Sequence, residues 1–534
     1  MNSADAIKNG KAVIGIEFGS TRIKALLIGE EHEPLASGIY DWQNEMLDGV
    51  WTYSLENVRK GLRECFADLM KNVEEKYSTK LETAAAIGIS AMMHGYLVFD
   101  ENGGQLVPFR TWRNTMTEEA ADKLTDVFGF NIPQRWSIAH LYQAILNKEP
   151  HVKNIAFMTT LAGYVHYLLT GEKVIGTGDA SGIFPIDSKT GGYNSRMTEE
   201  FDKLAEGTAF GKKLADILPV IVQAGECAGR LTEEGAKLLD PTGTFRGDIP
   251  FCPPEGDAQT GMAATNSITP KTGNVSAGTS IFSMIVLEDD LSAVHREIDI
   301  VTTPCGDPVA MVHCNSCTSD LDAWFGIFGD FLKEIGADMP KGKLYDKLYS
   351  LAAEGDPDCS GIISYNYYAG EPVTGVKNGV PLLMRSPDSA FNIRNFMRSL
   401  VYSCVAALKA GMDILTEQEH VSLEKIYAHG GFFKTPFPTQ NFLAAALGAD
   451  VTLMQTAGEG GAWGVALLAS YMAKKDSGET LRDYLNSRVF ANISGSTVSP
   501  SQKDVDGINE YMKKYLSGIA AVKAAAPEKQ KGQI

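Results

Sequence analysis

The sequence predicts an α/β protein built from two related domains. Two segments of similar pattern lie far apart in the chain, at residues 13–27 and 273–286. Each contains a strand pattern, a tight turn of glycine with serine and threonine, and a second strand pattern, with apolar residues at alternate positions. Strand and helix patterns then alternate in both halves of the chain, which is typical of α/β layering.

Length and composition agree with two large folded domains. The chain has 534 residues, of which 44% are hydrophobic and 21% charged, with 53 glycines and 22 prolines. These values exclude disordered and collagen-like chains, and a chain of this size can build cores that need no disulfide. We predict domains at residues 1–265 and 266–516, because residues 258–272 lack strong periodicity. A flexible, Ala- and Lys-rich tail is expected at residues 517–534.

Apolar spacing assigns the elements between the two segments. Residues 54–76 carry apolar side chains at three- or four-residue intervals and are predicted to form an amphipathic helix. The runs at 85–90 and 96–99 predict strands, with a turn at 100–104. After Pro387, a second long helix is predicted from the helical spacing of residues 393–415.

Charge and cysteine usage restrict the partners and the compartment. Lys and Arg number 48 against 66 Asp and Glu, which gives a net charge of −18. Nucleic acid and anionic membranes are therefore unfavourable partners. We find neither a signal-peptide pattern nor a run of eighteen apolar residues, so we expect no membrane span. Eight scattered cysteines without disulfide-framework spacing indicate the reducing cytoplasm.

Cys314 and Cys317 have a spacing that is common in metal and redox sites. A zinc site would need a second pair of ligands, and a redox dithiol is the other alternative. We favour buried structural thiols, because a free cysteine is often simply a small core residue.

Clustered glycines mark places where the backbone can approach a ligand closely. The turns at residues 19–21 and 278–280 each bring N–H groups and hydroxyls to a strand junction, where they could hold phosphate. Taken singly, each pattern is also compatible with an ordinary hairpin turn that binds no ligand. A cluster at 430–434 could contact a purine, and another at 458–464 opens a helix. None of them is a Walker A loop or a G-x-G-x-x-G fingerprint.

Two carboxylates stand in positions that suit catalysis. Asp257 lies between Gly256 and Ala258, where a substrate hydroxyl could approach it and transfer a proton to it. A loop or helix-capping aspartate is the structural alternative. Glu17, on the strand before the first turn, could hold Mg²⁺, although a solvated strand residue would have the same pattern.

A third group of residues has the chemistry of a sugar pocket. His94 and Arg113 could hydrogen-bond a polyhydroxylated ligand, and Trp112 could pack on its C–H face. Single His and Trp residues are usually structural, so this group alone does not decide between a sugar pocket and a structural role.

Taken in order, these motifs resemble those of the FGGY family of carbohydrate kinases over nearly the whole chain. Six motifs of that family have counterparts here in the same order: the first phosphate motif at residues 15–20, the S-x-Q-M-H-G strand end of xylulokinase-like members at 90–95, the Gly-Asp loop at 256–258, the second phosphate motif at 276–280, the adenosine motif at 430–434 and the E-x-x-A-x-G stretch at 459–464. Each motif is weak alone, but six in register are a specific signal.

The resemblance implies two actin-like, ribonuclease H-like ATPase domains with an interdomain cleft, sugar bound by the N-terminal domain and ATP by the C-terminal domain. It implies Mg²⁺ at Glu17 and Asp257, and phosphoryl transfer to a sugar hydroxyl with Asp257 as general base. It assigns sugar binding to Met93, His94, Gly95, Trp112, Arg113 and Asp257. It assigns ATP binding to Gly19, Ser20, Thr21, Lys24, Gly278, Thr279, Ser280, Gly430, Gly431, Phe432, Lys434, Glu459 and Gly460.

Three positions depart from the family pattern. Family members usually have Asp where this chain has Glu17, and xylulokinase-like members have Gln where it has Met92. Arg113 stands within what is usually a Trp-Asn-Asp sequence. The first change concerns the metal, and the other two concern the expected sugar.

The resemblance implies an ATP-dependent, Mg²⁺-requiring kinase, and the acceptor that we expect is a xylulose-type ketopentose. A deoxyketohexose of the rhamnulose or fuculose type is an alternative, since residues 141–143 and 168–171 resemble the rhamnulokinase-like branch. An actin- or chaperone-like ATPase module that phosphorylates no sugar is the rival from another class. The expected partners are the sugar and ATP, and a homodimer is compatible with the sequence.

Overall fold

A computed structural model of the protein describes residues 2–337, 339–454, 460–493 and 495–526. The chain forms two compact units. Unit 1 contains the described residues of 1–268, 299–309 and 459–493, and unit 2 contains those of 269–298, 310–458 and 494–534. The first boundary lies close to the predicted one, but the units are not contiguous in sequence. Two segments from the C-terminal half of the chain belong to unit 1, whereas the sequence predicted two continuous domains.

The strands are mostly short. In chain order they are β1 Val13–Phe18, β2 Arg22–Ile28, β3 Pro34–Asp41, β4 Glu45–Leu47, β5 Val50–Thr52, β6 Ala86–Ala91, β7 Leu97–Phe99, β8 Phe157–Thr159, β9 Val174–Gly176, β10 Val220–Val222, β11 Glu255–Gly256, β12 Thr272–Ala277, β13 Ile281–Val286, β14 Asp299–Thr302, β15 Pro308–Cys314, β16 Ile362–Tyr365, β17 Leu382–Arg385, β18 Lys425–His429, β19 Asp450–Met454 and β20 Gly495–Val498.

The α-helices range from single turns to more than six turns. In chain order they are α1 Ser3–Lys8, α2 Leu55–Tyr77, α3 Glu118–Phe128, α4 Ser137–Leu146, α5 Leu161–Thr170, α6 Thr177–Ala180, α7 Ser195–Ala205, α8 Glu233–Leu239, α9 Asp257–Ala264, α10 Thr318–Glu334, α11 Lys341–Ala353, α12 Ile393–Asp413, α13 Pro436–Leu447, α14 Gly460–Lys474, α15 Leu481–Tyr484 and α16 Gln502–Ala525.

The main sheet of unit 1 has the strand order β11-β6-β1-β2-β3. Strand β2 is antiparallel to β1 and to β3, whereas β1, β6 and β11 run parallel. Side chains on both faces of β1 are buried, as Val13, Ile14 and Ile16 show, because α2 packs on β2 and β3 while α14 packs on β1 and β6. The carboxyl ends of β1, β6 and β11 therefore meet at one edge of the sheet.

The sheet of unit 2 contains β15, β13, β12, β18, β19 and β20 in that order. Strand β12 is antiparallel to β13 and parallel to β18, which in turn is parallel to β19. The order β15-β13-β12-β18-β19 repeats the order β3-β2-β1-β6-β11 of unit 1. This repetition confirms the prediction of two α/β domains with related topology.

Helix α12 confirms the second long helix that the sequence predicted. It continues as a π-helical turn, and among the described residues the stretch Ile393–Gln418 is the one long and apolar enough to cross a membrane. However, 78% of its most apolar window is buried inside the protein. This burial is that of a core helix of unit 2.

Helix α16 includes most of the segment that the sequence predicted to be a tail. It continues through Ala525, with Ile519 and Val522 buried. The flexible tail predicted from residue 517 is therefore wrong for residues 517–525, and residues 527–534 lie outside the described part of the chain.

Glycines allow α14 to pack directly on its neighbours in unit 1. A Cβ atom on Gly464 would lie under 3.0 Å from the Thr260 carbonyl oxygen, and one on Gly15 would be equally close to the Ala462 carbonyl oxygen. Real Cβ atoms essentially never approach so closely, so backbone would have to move.

We therefore expect Gly464→Ala to destabilise unit 1 by about 3 kcal/mol or more, since overpacking against backbone cannot relax by rotamer changes alone. Gly261→Ala is the matched control, because a Cβ there meets nothing within 4 Å. Thermal unfolding of the two variants should show a clear decrease for the first and none for the second. Equal unfolding midpoints would contradict the close packing of α14.

Candidate active site

Asp257, the candidate general base, lies at the carboxyl edge of the unit 1 sheet. It directly follows β11 and is the first residue of α9. Its Oδ1 accepts a hydrogen bond from the backbone N–H of Met93 at 3.3 Å. Gly256 makes this approach possible, because a Cβ there would lie under 3.0 Å from Cγ of Met93. The structure thus brings the predicted Gly-Asp loop and the predicted Met-His-Gly strand end together.

Glu17 lies at the same edge on the parallel strand β1, which is separated from β11 by β6. Its Oε2 accepts a hydrogen bond from the backbone N–H of Ala462, at 3.1 Å, in the first turn of α14. Desolvation by the surrounding protein, followed by repulsion from Asp257, raises the pKa of Glu17 to about 7. Desolvation likewise raises the pKa of Asp257 to about 6, against the opposing effect of backbone N–H groups that include that of Met93. Each side chain nevertheless keeps part of its surface exposed.

Two neighbouring carboxyls with raised pKa values are a setting that favours a cation. Within the described ranges, no three His, Cys, Asp or Glu side chains converge into a metal site. Mg²⁺ usually takes one or two carboxylates from the protein and completes its shell with phosphate oxygens and water. Glu17 and Asp257 therefore fit an ion that arrives together with a nucleotide, and they do not form an all-protein cage.

The first phosphate turn joins β1 to β2 in unit 1. The N–H of Gly19 donates to the Arg22 carbonyl oxygen at 2.9 Å and closes the turn. The indole N–H of Trp42 donates to the Gly19 carbonyl at 2.8 Å, and the Tyr53 hydroxyl donates to the Ser20 carbonyl at 2.6 Å. These hydrogen bonds hold the turn through its carbonyl groups. Ser20 and Thr21 remain exposed. The predicted residue Lys24 pairs with Glu17 in the β1–β2 register. Sequence reasoning missed Trp42 and Tyr53, because they are distant aromatic residues without a motif.

The Met-His-Gly segment is buried and has a special backbone conformation. His94 and Gly95 both have positive φ angles, of 65° and 92°. The His94 ring stacks on Trp136 with centroids 6.0 Å apart, and its Nδ1 lies 3.3 Å from the Gly182 carbonyl oxygen. These contacts fix the orientation of the imidazole next to Met93.

Trp112 and Arg113 are exposed, and they lie beside an aromatic residue that the sequence did not single out. The Arg113 guanidinium is 4.5 Å from the centre of the Trp51 ring and 6.0 Å from that of Trp112. Asn114 fixes the backbone of Trp51, accepting from its N–H at 2.9 Å and donating to its carbonyl at 2.8 Å. Trp51 therefore joins Arg113 and Trp112 as a candidate sugar contact. No described hydrogen bond or ring contact links these side chains directly to Asp257.

Two further carboxyls lie near Asp257 and were missed. Asp179 and Glu255 are both buried completely or nearly so. Desolvation raises the pKa of Asp179 to about 7, with a further contribution from Asp257. Desolvation and then Asp179 raise the pKa of Glu255 to about 8. A signal was present, since residues 178–180 repeat the Gly-Asp-Ala sequence of residues 256–258.

The second phosphate turn, between β12 and β13 in unit 2, is held in a similar way. The N–H of Gly278 donates to the Ser280 carbonyl oxygen at 2.8 Å. The Gly278 carbonyl accepts from the N–H and the hydroxyl of Thr318, at 3.1 and 2.9 Å, and the Thr279 carbonyl accepts from the N–H of Cys317 at 2.8 Å. The start of α10 thus holds the turn through its carbonyl groups.

The predicted adenosine motif follows β18 in the same unit. Gly430 has a φ of 112°, and a Cβ on it would lie under 3.0 Å from the Ala277 carbonyl oxygen. The Gly430 backbone thus lies close to that of Ala277, at the end of β12 and next to the second phosphate turn. Gly431 and Lys434 are exposed, but the Phe432 ring is buried against Phe433. Any contact of Phe432 with a nucleotide would therefore have to come from its backbone.

The last predicted motif lies in a different unit from the one expected. Glu459 is outside the described residues. Gly460 begins α14, which belongs to unit 1. The structure therefore groups Gly460 with Glu17 of unit 1 and not with the turns of unit 2.

The two cysteines with motif-like spacing are buried in unit 2. Neither Cys314 nor Cys317 has exposed surface. Desolvation raises the pKa of the Cys314 thiol well above its usual range, and the carbonyl of Cys317 accepts a hydrogen bond from the thiol of Cys404 at 3.2 Å. These contacts agree with structural thiols.

Comparison with known proteins gives matches along most of the chain. The family model described as the N-terminal domain of the FGGY family of carbohydrate kinases matches residues 12–262, and the model of the C-terminal domain matches residues 273–473. A xylulose kinase of Haemophilus influenzae is 22% identical over 95% of this chain and 99% of its own length. A ribulokinase of Geobacillus thermodenitrificans is 22% identical over 88% of this chain and 87% of its own length.

Solved structures share the fold at lower identity. A ligand-bound xylulose kinase of Lactobacillus acidophilus has a TM-score of 0.76 at 16% identity, covering 97% of this chain and 99% of its own. A gluconate kinase of the same organism has a TM-score of 0.75 at 16% identity with the same coverage.

Proposed function

This chain belongs to the FGGY family of carbohydrate kinases, and from this premise we propose that it transfers the γ-phosphoryl group of ATP to a hydroxyl of a ketose. The acceptor that we propose is a xylulose-type ketopentose. Relatives named xylulose kinase and ribulokinase support a five-carbon ketose. The observation that carries the proposal is the position of Asp257 beside Met93 and Glu17.

Asp257 has the properties of a general base at neutral pH. With a pKa of about 6, it is mostly ionised near pH 7, yet it binds a proton more readily than an ordinary aspartate. The Met93 N–H holds Oδ1, which orients the carboxylate. In the proposed reaction, the carboxylate accepts the proton of the attacking sugar hydroxyl.

The two phosphate turns supply donors for the nucleotide. Ser20 and Thr21 in unit 1 are exposed, as Gly431 and Lys434 in unit 2 are. We propose that Gly278–Ser280, Gly431 and Lys434 of unit 2 bind the nucleotide, and that Ser20 and Thr21 of unit 1 bind phosphate. Glu17 and Asp257 would hold Mg²⁺, which when bound neutralises charge on the transferring phosphoryl group.

For the sugar, we propose contacts from Met93, His94 and Gly95 together with Trp112 and Arg113. Trp51 extends this set, because it lies under the Arg113 guanidinium. An aromatic face and a guanidinium together suit a ligand with both C–H faces and hydroxyls. Family membership makes the chain a carbohydrate kinase, so we do not retain the alternative of an ATPase module that phosphorylates no sugar.

A coupled assay of ADP release tests the proposal. With ATP and Mg²⁺ fixed, D-xylulose, L-xylulose, L-ribulose, L-rhamnulose, L-fuculose, glycerol and gluconate would each be compared by kcat/KM. We expect the highest value with a xylulose, because several relatives are named xylulose kinase. The other sugars test this choice, because discrimination in such a site depends on hydrogen bonds to individual hydroxyls. The highest value with L-rhamnulose or L-fuculose would favour the deoxyketohexose alternative, and release independent of added sugar would contradict the proposal.

A further inference from the structure

The buried carboxyl group of Glu255 joins two segments of unit 1 next to the candidate base. Glu255 is on β11, two residues before Asp257, and is only 1% exposed. Its Oε2 accepts a hydrogen bond from the N–H of Asp179 at 2.8 Å, and its Oε1 accepts one from the N–H of Gly178 at 3.3 Å. Both oxygens are therefore bound to the backbone of the short helix α6.

Two glycines make room for this carboxylate. A Cβ on Gly176 would lie under 3.0 Å from Oε1 of Glu255, and a Cβ on Gly178 would lie under 3.0 Å from Oε2. In addition, the N–H of Gly176 donates to the Pro254 carbonyl oxygen at 2.9 Å. The Glu255 side chain can reach the α6 backbone because neither position carries a side chain.

Both α6 and α9 are also attached to strand β14 of the same unit. Thr302 donates from its N–H to the Ser181 hydroxyl at 3.1 Å and from its hydroxyl to the Thr177 carbonyl at 3.2 Å. The side-chain amide of Gln259, on α9, donates to the Thr302 carbonyl at 3.1 Å. Glu255 therefore attaches the chain before Asp257 to α6, and Gln259 attaches the chain after it to Thr302, which is itself bonded to α6 and the residue that follows it.

Burial of the Glu255 carboxyl is unfavourable in itself. Within the described part of the chain, no Lys, Arg or His forms an ion pair with Glu255. A buried carboxyl without a cationic partner lowers stability unless its hydrogen bonds compensate. The two hydrogen bonds from the α6 backbone to Glu255 fix the turn that carries Asp257 relative to α6.

We propose that Glu255 is a positioning residue, whose carboxyl group accepts the N–H groups of Gly178 and Asp179, fixes the β11–α9 turn against α6 and thereby holds the Asp257 carboxylate in place for phosphoryl transfer. The proposal rests on the function proposed above. Glu255 itself touches neither substrate nor metal in this scheme and acts through the backbone of Gly256 and Asp257.

Glu255→Gln is the central test, because it conserves volume but turns an amide N–H₂ toward one of the two backbone donors. We expect kcat to fall about 10- to 100-fold, since small misplacements of a reacting group have effects of this size. The KM values for ketose and ATP should change by less than about threefold, because the residues proposed to bind them are unaltered. Glu199→Gln, an exposed glutamate of the same unit, is the matched control and should leave kcat unchanged.

Gly178→Ala gives a second variant, since its methyl group would displace both the Gln259 side chain and the Glu255 carboxyl, which hold the turn carrying Asp257, without removing either. It should reproduce the loss of kcat. A folded Glu255→Gln enzyme with wild-type kcat would overturn the proposal, and so would a loss expressed mainly in KM.

A crystal structure of Glu255→Gln provides a readout that does not depend on turnover. We expect the Asp257 carboxylate to lose its 3.3 Å contact with the Met93 N–H. If Asp257 kept that contact, the positioning role would be wrong. If the wild-type enzyme turned over no ketose, the proposed function would fail, but the crystal structure would still decide the role of Glu255.

Discussion

Asp257→Asn is expected to lower the ketose-dependent kcat about 10³-fold. Asparagine has the same size as aspartate and keeps an oxygen that can accept the Met93 N–H, but it cannot take up the hydroxyl proton at neutral pH. The nucleotide would be held mainly by the phosphate turns and the residues at 430–434, so its Kd should change by less than about threefold. Single-turnover ADP release and calorimetric titration with an ATP analogue measure the two quantities separately.

The control for this variant is Asp187→Asn. Asp187 accepts hydrogen bonds from backbone N–H groups in a loop of the same unit, so it reports the effect of an Asp to Asn change away from the candidate site. It should retain wild-type kcat. If Asp257→Asn turned over ketose at a rate close to wild type, Asp257 would not be the base, and its role would be the structural one of accepting the Met93 N–H.

Local pattern was sufficient to predict the two sheet centres. Residues 13–27 and 273–286 each form the predicted pair of antiparallel strands, because alternation of apolar residues and a glycine turn specify a hairpin without help from distant residues. The predicted helix at 54–76 is α2, with its apolar residues buried at three- and four-residue intervals. The candidate base, Asp257, and its neighbour Met93 were also found from the sequence, and the structure brings them into contact.

Long-range packing could not be predicted in this way. Helix α14 belongs to unit 1 because Gly15 permits a close backbone contact with Ala462, more than 440 residues further along the chain, and Gly464 permits one with Thr260, about 200 residues before it. No local pattern records such contacts. The buried carboxyl Glu255 has bonding partners at residues 178 and 179, which become its neighbours only in the folded chain.

The end of the chain illustrates a different error. Tyr511, Tyr515, Ile519 and Val522 are buried along α16, at intervals of three and four residues. An Ala- and Lys-rich composition is favourable to helix, and this spacing was present in the sequence. The composition alone suggests a tail, whereas the periodicity predicts an amphipathic helix, and the periodicity is the correct guide here.

The second large effect is expected for Glu17→Gln. The amide keeps an oxygen that can accept the Ala462 N–H, but it removes one of the two charges proposed to hold Mg²⁺. We expect kcat/KM to fall about 10²-fold and the Mg²⁺ concentration for half-maximal rate to rise. Glu17→Asp restores the charge and the residue usual in this family, so it should recover part of the activity. Glu45→Gln, an exposed glutamate on β4, should behave like the wild type.

The same substitution should not destabilise the free protein, and this separates a functional from a structural role of Glu17. The folded-state pKa of about 7 lies above the ordinary value of 4.5, so ionised Glu17 lowers the stability of the fold above that pKa. Below 4.5 the carboxyl is protonated in both states and this penalty is absent. At about pH 8 without Mg²⁺, Glu17→Gln should therefore unfold at the wild-type temperature or higher. A lower unfolding temperature combined with normal turnover would instead make Glu17 a structural strand residue, because a site retained for cation binding loses function and not stability when its charge is removed.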